Sequence, residues 1–432
     1  MNHPPQEPVS LRPPPPPLAE LAQRALARCD AAAAFTEEPG RITRTFCSLA
    51  MAELHAAVRG WMEAAGMTCR VDAAGNLFGR LSPPLAINQK ILLIGSHLDS
   101  VPNAGKYDGV LGVMLGIALA EAVNQTESCF PYHLEVVGFS EEEGVRYGLP
   151  FIGSRALVGD CDEELLQRKD ANGISVADAL RQFGCDPAQI QTCEIPSDNC
   201  LAYLEPHIEQ GPVLECEDSP LSVVTAIAGQ TRATIRLVGA AGHAGTVPMA
   251  LRRDALAAAA EWISHVERIG RQAPGLVATV GTIEVLPGAG NVIPGEARLR
   301  LDLRHTDDAI RKSAVDELQR FGHELAARRG VEFEFIVGHE HSALAMDQGA
   351  TDFLKQSIAQ AGHRPIELPS GAGHDAAVMA RRWPAAMLFI RCRGGVSHHP
   401  DESVTLEDVT AALTAMWHFL DVWRVKYWDV KK

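Results

Sequence analysis

The sequence lacks the features of three protein classes. It contains no run of about 18 apolar residues, so no transmembrane helix is predicted. Its formal net charge of −15 disfavours nucleic acid as a partner, because phosphates require a basic surface. Ten cysteines are scattered without any C-x-x-C pair. We therefore expect reduced thiols in a cytoplasmic protein rather than a disulfide framework.

The N-terminus also lacks the basic start and apolar core of a secretory signal. It is rich in proline instead, which predicts a disordered arm over residues 1–17 that includes a polyproline II segment. The whole chain has 432 residues, of which 46% are hydrophobic and 22% are charged. This composition is typical of an ordinary globular protein, and the length is too great for one core, so two domains are expected.

One apolar strand leads to the first candidate site. Ile91–Ile94 is a continuous apolar run, typical of a strand buried on both faces of a parallel sheet. Its carboxyl end carries His97 and Asp99, and this is the edge at which open α/β sheets place their sites. Asp108 follows in a turn-rich stretch, just before Val110–Ala122, which predicts a buried helix. A histidine and two carboxylates are therefore expected in one crevice.

A second apolar strand ends in three consecutive carboxylates. His133–Phe139 leads through Ser140 into Glu141, Glu142 and Glu143. Like charges at this spacing repel one another unless a cation neutralises them. Histidine and carboxylate ligands together suit Zn²⁺ or Mn²⁺. The two strand ends therefore predict a metal site.

Four further clusters each place histidine in a polar or glycine-rich stretch. Taken alone, each cluster also fits an ordinary polar turn. Together they favour a chemical function more strongly than any one of them does alone. The four clusters are Glu205–Gly211 with His207, Ala241–Thr246 with His243, Ser370–Asp375 with His374, and Gly395–Pro400 with His398 and His399.

The hydrophobic period changes near residue 229, and this change predicts the domain organisation. Strands alternate with helices up to about residue 226, which is typical of a mostly parallel sheet. Thr231–Val238 and Ala297–Arg304 instead alternate polar and apolar residues. The order β-α-β-β-α-β over 229–340 is that of a ferredoxin-like unit with one solvated sheet face. We expect it to be inserted into a domain formed by 18–228 and 341–432.

Nine motifs, in this order, resemble the N-carbamoyl-L-amino-acid hydrolase and allantoate amidohydrolase family. The resemblance extends from about residue 40 to the C-terminus. It implies an α/β di-metal aminopeptidase-like catalytic domain with a mostly parallel sheet, plus an inserted ferredoxin-like dimerisation domain. The motifs are GSHLDS, YDG, SEEEGVR, EPHIEQGPVLE, GHAGTVPM, NVIPG, DLRH, SGAGHDA and GVSHHPDE.

The resemblance also implies a centre of two divalent metal ions in which Asp108 bridges the pair. Zn²⁺ and Mn²⁺ are the first candidates, and Co²⁺ also suits such ligands. Glu142 would be the general base beside the metals. The run of glutamates leaves Glu141 as an alternative register, and the Ser-His-x-Pro pattern selects His398 over His399. The implied ligands are His97, Asp108, Glu143, His207 and His398.

Further residues of the family pattern would bind the substrate. His243 would enter the active site of a neighbouring subunit and stabilise the oxyanion, while Asn291 and Arg304 would bind the substrate carboxylate. Without the resemblance, Arg304 would be read as part of the solvated face of its strand, beside Arg298, Arg300 and Asp302. Second-tier substrate contacts are expected from Gln210, Arg232 and His374.

The sequence thus predicts a homodimeric, metal-dependent amidohydrolase with a small ureido substrate that carries a carboxylate. It would cleave the ureido C–N bond of an N-carbamoyl-L-amino acid or of allantoate, and the sequence does not choose between these. A dipeptidase or aminoacylase of the same fold is one alternative. A non-catalytic metabolite-binding dimer is another, but it would be expected to lack a ligand or the base, and none is missing.

Overall fold

The computed structural model describes residues 17–84, 86, 89–126 and 130–429. It divides into two compact units. The first comprises the described residues up to Thr225, together with Met346–Leu368 and the described residues from His374 onward. The second comprises Ala226–Ala345 and Pro369–Gly373, and it contains the whole of the insert expected at 229–340. The proline-rich arm lies outside the described residues except for Pro17.

Helices and strands alternate along much of the chain. The α-helices are α1 (Leu18–Ala32), α2 (Leu49–Ala64), α3 (Val110–Gln125), α4 (Ile152–Leu157), α5 (Glu163–Gln167), α6 (Val176–Phe183), α7 (Val213–Cys216), α8 (Ala255–Gln272), α9 (Asp308–Arg329), α10 (Gln348–Gln360), α11 (Asp375–Met379) and α12 (Leu406–Asp429). The strands are β1 (Thr68–Val71), β2 (Leu77–Leu81), β3 (Ile91–His97), β4 (His133–Phe139), β5 (Cys200–Ile208), β6 (Leu221–Ile227), β7 (Gly229–Val238), β8 (Gly242–His243), β9 (Val277–Leu286), β10 (Val292–Ile293), β11 (Glu296–His305), β12 (Glu332–His341), β13 (Leu344–Ala345), β14 (Ile366–Ser370) and β15 (Ala385–Ile390).

The first unit is built on a mixed sheet in which β4, β3, β5 and β15 are neighbours and run parallel. The outer pairs β1–β2 and β2–β4 are antiparallel. Every residue of β3 is buried, as its apolar run predicts. The expected α/β fold with a mostly parallel sheet is confirmed.

Helix α3 packs closely on this sheet. It is buried from Val110 to Val123, so it has no solvated face. A Cβ at Gly112 would lie 2.2 Å from the carbonyl oxygen of Pro206 in β5. Only glycine therefore permits this close approach, which brings the start of α3 next to the carboxyl ends of the parallel strands.

The second unit contains an antiparallel sheet in the order β12-β7-β11-β9. With α8 and α9 as its connections, the chain follows the expected β-α-β-β-α-β order. Burial alternates along β11, where Leu299, Leu301 and Leu303 face the core and Arg300 is exposed. Trp262 of α8 is fully buried in the same core.

The segment between β4 and β5 differs from the expected alternation of strands and helices. No strand is assigned within residues 140–199, all of which are described. The short helices α4, α5 and α6 surround a separate hydrophobic cluster instead. Asp162 and Ser175 cap α5 and α6 by accepting hydrogen bonds from Leu165 N and Asp178 N. Across the described ranges, no helix is long and apolar enough to span a bilayer.

Candidate metal centre

His97 occupies the carboxyl end of β3 and is 2% exposed. Its Nδ1 lies 3.0 Å from the carbonyl oxygen of Asp99. Because a carbonyl oxygen only accepts hydrogen bonds, this contact places the ring proton on Nδ1 and leaves the Nε2 lone pair available. The Nε2 atom faces Asp108 Oδ1 at 3.4 Å. The ring is therefore oriented as a ligand.

Asp108 lies where three histidine rings converge. Its Oδ1 is 3.2 Å from His207 Nε2, and its Oδ2 is 3.3 Å from His398 Nε2. Burial opposes ionisation, but the neighbouring rings of His207, His398 and His97 hold the pKa of Asp108 well below its usual value. The buried Oδ1 has no hydrogen-bond partner among the described residues. A cation would satisfy this oxygen.

Gly109 allows the close approach of Asp108 to His97. Its φ is +67°, and a Cβ there would lie 2.5 Å from the His97 ring. Any larger side chain would be strained and would push the ring away from the carboxylate. The glycine of the Tyr-Asp-Gly motif thus has a steric function at this centre.

The three consecutive glutamates separate into two kinds. Glu141 is buried, and its Oε1 accepts a hydrogen bond from Gly144 N at 2.5 Å. Glu142 and Glu143 instead each offer a carboxylate oxygen to a group that also contains His97. Glu141 belongs to none of the ligand groups in the described part of the chain. The geometry therefore favours the register in which Glu142 and Glu143 face the site.

Asp99 holds the main chain of this glutamate run. Its carboxylate accepts hydrogen bonds from Glu142 N at 3.0 Å and from Glu143 N at 3.1 Å. It also approaches His97 Nδ1, at 3.5 Å. One side chain on the β3 loop thus orients groups on both strand ends. The sequence placed Asp99 at the site but did not indicate this function.

His207 and His398 complete the set of rings. His207 Nδ1 lies 2.9 Å from the carbonyl oxygen of Ile208. The other ring nitrogen, Nε2, therefore faces Asp108 Oδ1 and accepts a hydrogen bond from Gly109 N. His398 has a φ of +55°, and its Nε2 is 3.6 Å from Glu143 Oε1. His399 instead accepts a hydrogen bond from Asp401 N at 3.2 Å. His398 is therefore the ring that faces the centre.

These side chains form overlapping groups of candidate metal ligands. In each group, the ligand atoms lie within 4.8 Å of one another. Two of the groups share Asp108, as expected for a carboxylate that bridges two cations. The third brings Glu142 next to a ligand of each of the other two groups. The groups are His97–Asp108–His207, Asp108–Glu143–His398 and His97–Glu142–Glu143.

The electrostatics of the carboxylates fit a bound cation. Burial raises the pKa of Glu142 well above its usual value. Burial, opposed in part by His97, raises the pKa of Glu143 to about 7, and Asp108 and Asp99 contribute to the rise. Buried carboxylates this close together cannot all ionise without compensating charge. Divalent cations held by these histidine and carboxylate groups would supply that charge.

Two expected substrate contacts also lie at this centre. Gln210 has a φ of +59°, and its Nε2 donates to Asp108 Oδ2 at 2.8 Å. Its buried Oε1 has no hydrogen-bond partner within the described ranges. His374 contacts His207 edge-on, with ring centroids 4.5 Å apart. Burial holds the pKa of His374 well below its usual value.

The second unit contains the remaining expected substrate residues in two separate places. Exposed His243 pairs with Val292, and Ala244 N donates to the carbonyl oxygen of Asn291 at 3.0 Å. His243 and Asn291 therefore lie together, before the start of β11. Arg304 is near the other end of that strand, about 26 Å from Glu296 at 3.3 Å per residue.

Arg232 and Arg304 share one acceptor, Asp302. Arg304 Nε and Nη2 donate to its two oxygens at 2.8 and 3.0 Å, and Arg232 Nε donates at 3.1 Å. Arg304 Nη1 also donates to the carbonyl oxygen of Gly371 at 2.6 Å. Burial opposes ionisation of Asp302, but these hydrogen bonds lower its pKa. Arg304 is thus partly enclosed by its neighbours rather than fully solvated.

Comparison with known proteins gives a consistent result. The sequence model of peptidase family M20/M25/M40 matches residues 93–421. An allantoate deiminase of Arabidopsis thaliana is 37% identical over 93% of this chain and 82% of its own length. An N-carbamoyl-L-amino acid amidohydrolase of Geobacillus stearothermophilus is 38% identical over 85% of this chain and 89% of its own length.

The solved structures include a similar protein from Burkholderia multivorans, described as an amidase of the hydantoinase/carbamoylase family. It aligns with a TM-score of 0.86 and 32% sequence identity. The alignment covers 92% of this chain and 97% of the other chain. The similarity thus extends over both units.

Proposed function

The chain belongs to peptidase family M20/M25/M40, and from this premise we propose that it is a metal-dependent amidohydrolase that cleaves a ureido C–N bond. The substrate is allantoate or an N-carbamoyl-L-amino acid, the compounds after which its relatives are named. The main support for the proposal is that two groups of candidate ligands share Asp108 and that Glu142 lies beside them.

We assign one cation to His97, Asp108 and His207, and a second to Asp108, Glu143 and His398. When bound, such a pair lowers the pKa of water and polarises the scissile carbonyl. Zn²⁺, Mn²⁺ and Co²⁺ all suit this donor set. The unpartnered Asp108 Oδ1 supports the assignment, and so do the Nε2 atoms of His97 and His207, which both face it.

Glu142 is the proposed general base. Its carboxylate takes a proton from the attacking water as the new C–O bond forms, and returns a proton to the leaving nitrogen as the C–N bond breaks. Breaking the C–N bond leaves a carbamic acid, which decomposes, so that the products are the free amine, ammonia and carbon dioxide. The main-chain contact with Asp99 fixes the base beside the ligands.

Gln210 and His374 would orient the ureido group. The unpartnered Oε1 of Gln210 can accept a hydrogen bond from a ureido N–H. Burial lowers the pKa of His374, and a neutral ring suits an uncharged amide better than an imidazolium would. Both residues lie beside the proposed ligands, Gln210 on Asp108 and His374 on His207.

The second unit is the proposed dimerisation domain. Since Asn291 lies before the start of β11 and Arg304 lies near the other end of that strand, we infer that one substrate carboxylate contacts both only if they come from different subunits. We propose that His243 and Asn291 enter the site of the partner subunit, where His243 stabilises the oxyanion. Arg304, assisted by Arg232, binds the carboxylate through two parallel hydrogen bonds.

An ammonia-release assay tests the proposed function. The substrates are allantoate, N-carbamoyl-β-alanine and several N-carbamoyl-L-amino acids, each with added Mn²⁺ or Zn²⁺. A dipeptide and an N-acetyl amino acid, followed by amino acid release, serve as controls. We expect metal-dependent ammonia release from at least one ureido compound and little hydrolysis of the controls. Hydrolysis of the controls alone would contradict the proposal and favour a dipeptidase or aminoacylase.

A further inference from the structure

Glu402 is a buried carboxylate directly behind Asp108. Its side chain is 4% exposed. Oε1 accepts two main-chain hydrogen bonds, from Tyr107 N at 2.7 Å and from Asp108 N at 3.0 Å. A single oxygen thus holds both amides of the peptide segment that presents the shared carboxylate. Glu402 itself belongs to none of the ligand groups in the described residues.

The same residue connects Asp108 to the loop of His398. Glu402 N donates to the carbonyl oxygen of His399 at 3.1 Å, and Oε2 lies 3.4 Å from Ser397 Oγ. Ser397 Oγ donates its one proton over the shorter distance of 2.6 Å to Asp108 Oδ2. Two segments that are far apart in the sequence are therefore fixed to each other at the candidate centre.

Glu402 packs directly against the main chain at Gly105. A Cβ at Gly105 would lie 2.4 Å from the Cβ, Cδ and Oε1 atoms of Glu402. Real Cβ atoms do not approach so closely, so even an alanine at 105 would displace the glutamate. The glycine before the Tyr-Asp segment thus makes room for this side chain.

We propose that Glu402 is a positioning residue: by fixing the main chain at Asp108 and the loop at Ser397, it holds the Asp108 carboxylate between the two proposed groups of metal ligands. It would act through Asp108 and Ser397 and not as a metal ligand itself. The inference rests on the two-metal centre of the proposed function. Groups that orient metal ligands from behind typically change metal affinity by about tenfold to a hundredfold when they are removed.

Three substitutions separate hydrogen-bond geometry from charge. Glu402→Gln keeps the acceptor oxygen and removes the charge. Glu402→Asp keeps the charge, but its shorter side chain withdraws the acceptor by about one bond length, roughly 1.5 Å. Glu402→Ala removes both. Each variant, checked for folding by circular dichroism and thermal melting, is titrated with Zn²⁺ or Mn²⁺ in competition with a fluorescent chelator.

We expect Glu402→Ala to bind one or both cations about tenfold to a hundredfold more weakly than the unchanged protein. Glu402→Gln should remain close to the unchanged protein, and Glu402→Asp should fall between the two. Asp170→Ala is the matched control, because Asp170 Oδ1 also accepts two main-chain hydrogen bonds, from Asn172 N and Ile174 N. It contacts no proposed ligand, so its removal should leave metal affinity unchanged.

Unchanged affinity in a folded Glu402→Ala protein would overturn the inference. So would the reverse order, with Asp retaining affinity and Gln losing it, since charge rather than geometry would then be responsible. If Glu402→Ala does not fold, Gly105→Ala tests the same contact by displacing the glutamate and should also weaken metal binding. A Gly105→Ala protein that binds the metal as tightly as the unchanged protein would equally overturn the inference.

The metal affinity is measured without any substrate, so the two proposals can fail separately. A protein that binds two cations yet releases no ammonia from ureido compounds would contradict the proposed function alone. Wild-type metal affinity without Glu402 would contradict the positioning role alone. A wild-type protein that binds neither Zn²⁺ nor Mn²⁺ would overturn both.

Discussion

Replacement of Glu142 by glutamine should abolish most turnover while leaving the metals bound. Glutamine has the same shape, and the main-chain hydrogen bond from residue 142 to Asp99 does not depend on the side chain. The substitution therefore removes the proton acceptor from a buried site with little other change. Loss of acid–base catalysis typically costs at least about a hundredfold in kcat. That loss corresponds to about 2.7 kcal/mol in the activation barrier.

The neighbouring glutamates provide matched controls for this experiment. Glu143→Gln should lose metal, because Glu143 shares a ligand group with Asp108 and His398. Glu141→Gln should keep both metals and most activity, because its Oε1 accepts from Gly144 N and lies outside the ligand groups. Metal content per subunit is measured by mass spectrometry, and kcat by ammonia release.

The three variants together define the register of the glutamate run. Full activity in Glu142→Gln would remove Glu142 from the mechanism. A loss of activity in Glu142→Gln accompanied by loss of half the metal would instead make Glu142 a ligand. A hundredfold loss in Glu141→Gln with the metals retained would shift the base by one residue.

Three further predictions concern the subunit partner, the substrate carboxylate and a buried histidine. Mixing His243→Ala with His97→Ala protein, each inactive alone, should restore one working site per mixed dimer if His243 serves the partner subunit. Arg304→Ala should raise the activation barrier for hydrolysis of a ureido substrate that carries a carboxylate by about 2 to 5 kcal/mol, and the enzyme should lose most of its preference for that acid over the matching carboxamide. Arg304→Lys should recover only part of this loss. Burial lowers the pKa of His55 from its ordinary 6.5 to about 3, so between these values the unfolded chain binds a proton that the folded chain does not. Stability should therefore fall as pH drops below 6.5, by up to about 1.4 kcal/mol per pH unit in denaturant titrations, and His55→Leu should reduce this dependence.

Each of these predictions has a contrary outcome. An inactive mixture in which subunit exchange is demonstrated would assign His243 to its own subunit's site. An Arg304→Ala protein that still prefers the acid would indicate that another residue binds the carboxylate. A His55→Leu protein with the same pH dependence as the unchanged protein would mean that other groups cause it.

The strand ends could be predicted from sequence because the physical signal is local. Ile91–Ile94 is an uninterrupted apolar run and His133–Phe139 is mostly apolar; both are followed by polar residues, and both are strands of the parallel part of the sheet. The carboxyl ends of neighbouring parallel strands meet at one edge, so His97 and the glutamate run were expected together. Ala297–Arg304 could be predicted as a strand in the same way, since its alternation of polar and apolar residues matches the alternating burial of β11.

The contacts that orient the ligands could not be predicted, because they connect distant positions. Glu402 holds Asp108 across 294 positions, and Gln210 reaches it across 102. No pattern around either residue indicates such a partner. Adjacent glutamates also share one local pattern, so only the backbone between Glu141 and Glu143 determines which side chains face the site. The short helices α4 to α6 were missed because each is under three turns long, too short for a helical period to emerge.

Titration of the metal-free protein with Zn²⁺ or Mn²⁺, while ammonia release from ureido substrates is followed, tests the central claim most directly. We expect no release without metal, full activity at two cations per subunit, and no restoration in His97→Ala or His398→Ala protein at the same metal concentration. Ammonia release that persists in excess chelator, or that saturates fully at one cation per subunit, would contradict a two-metal centre bridged by Asp108.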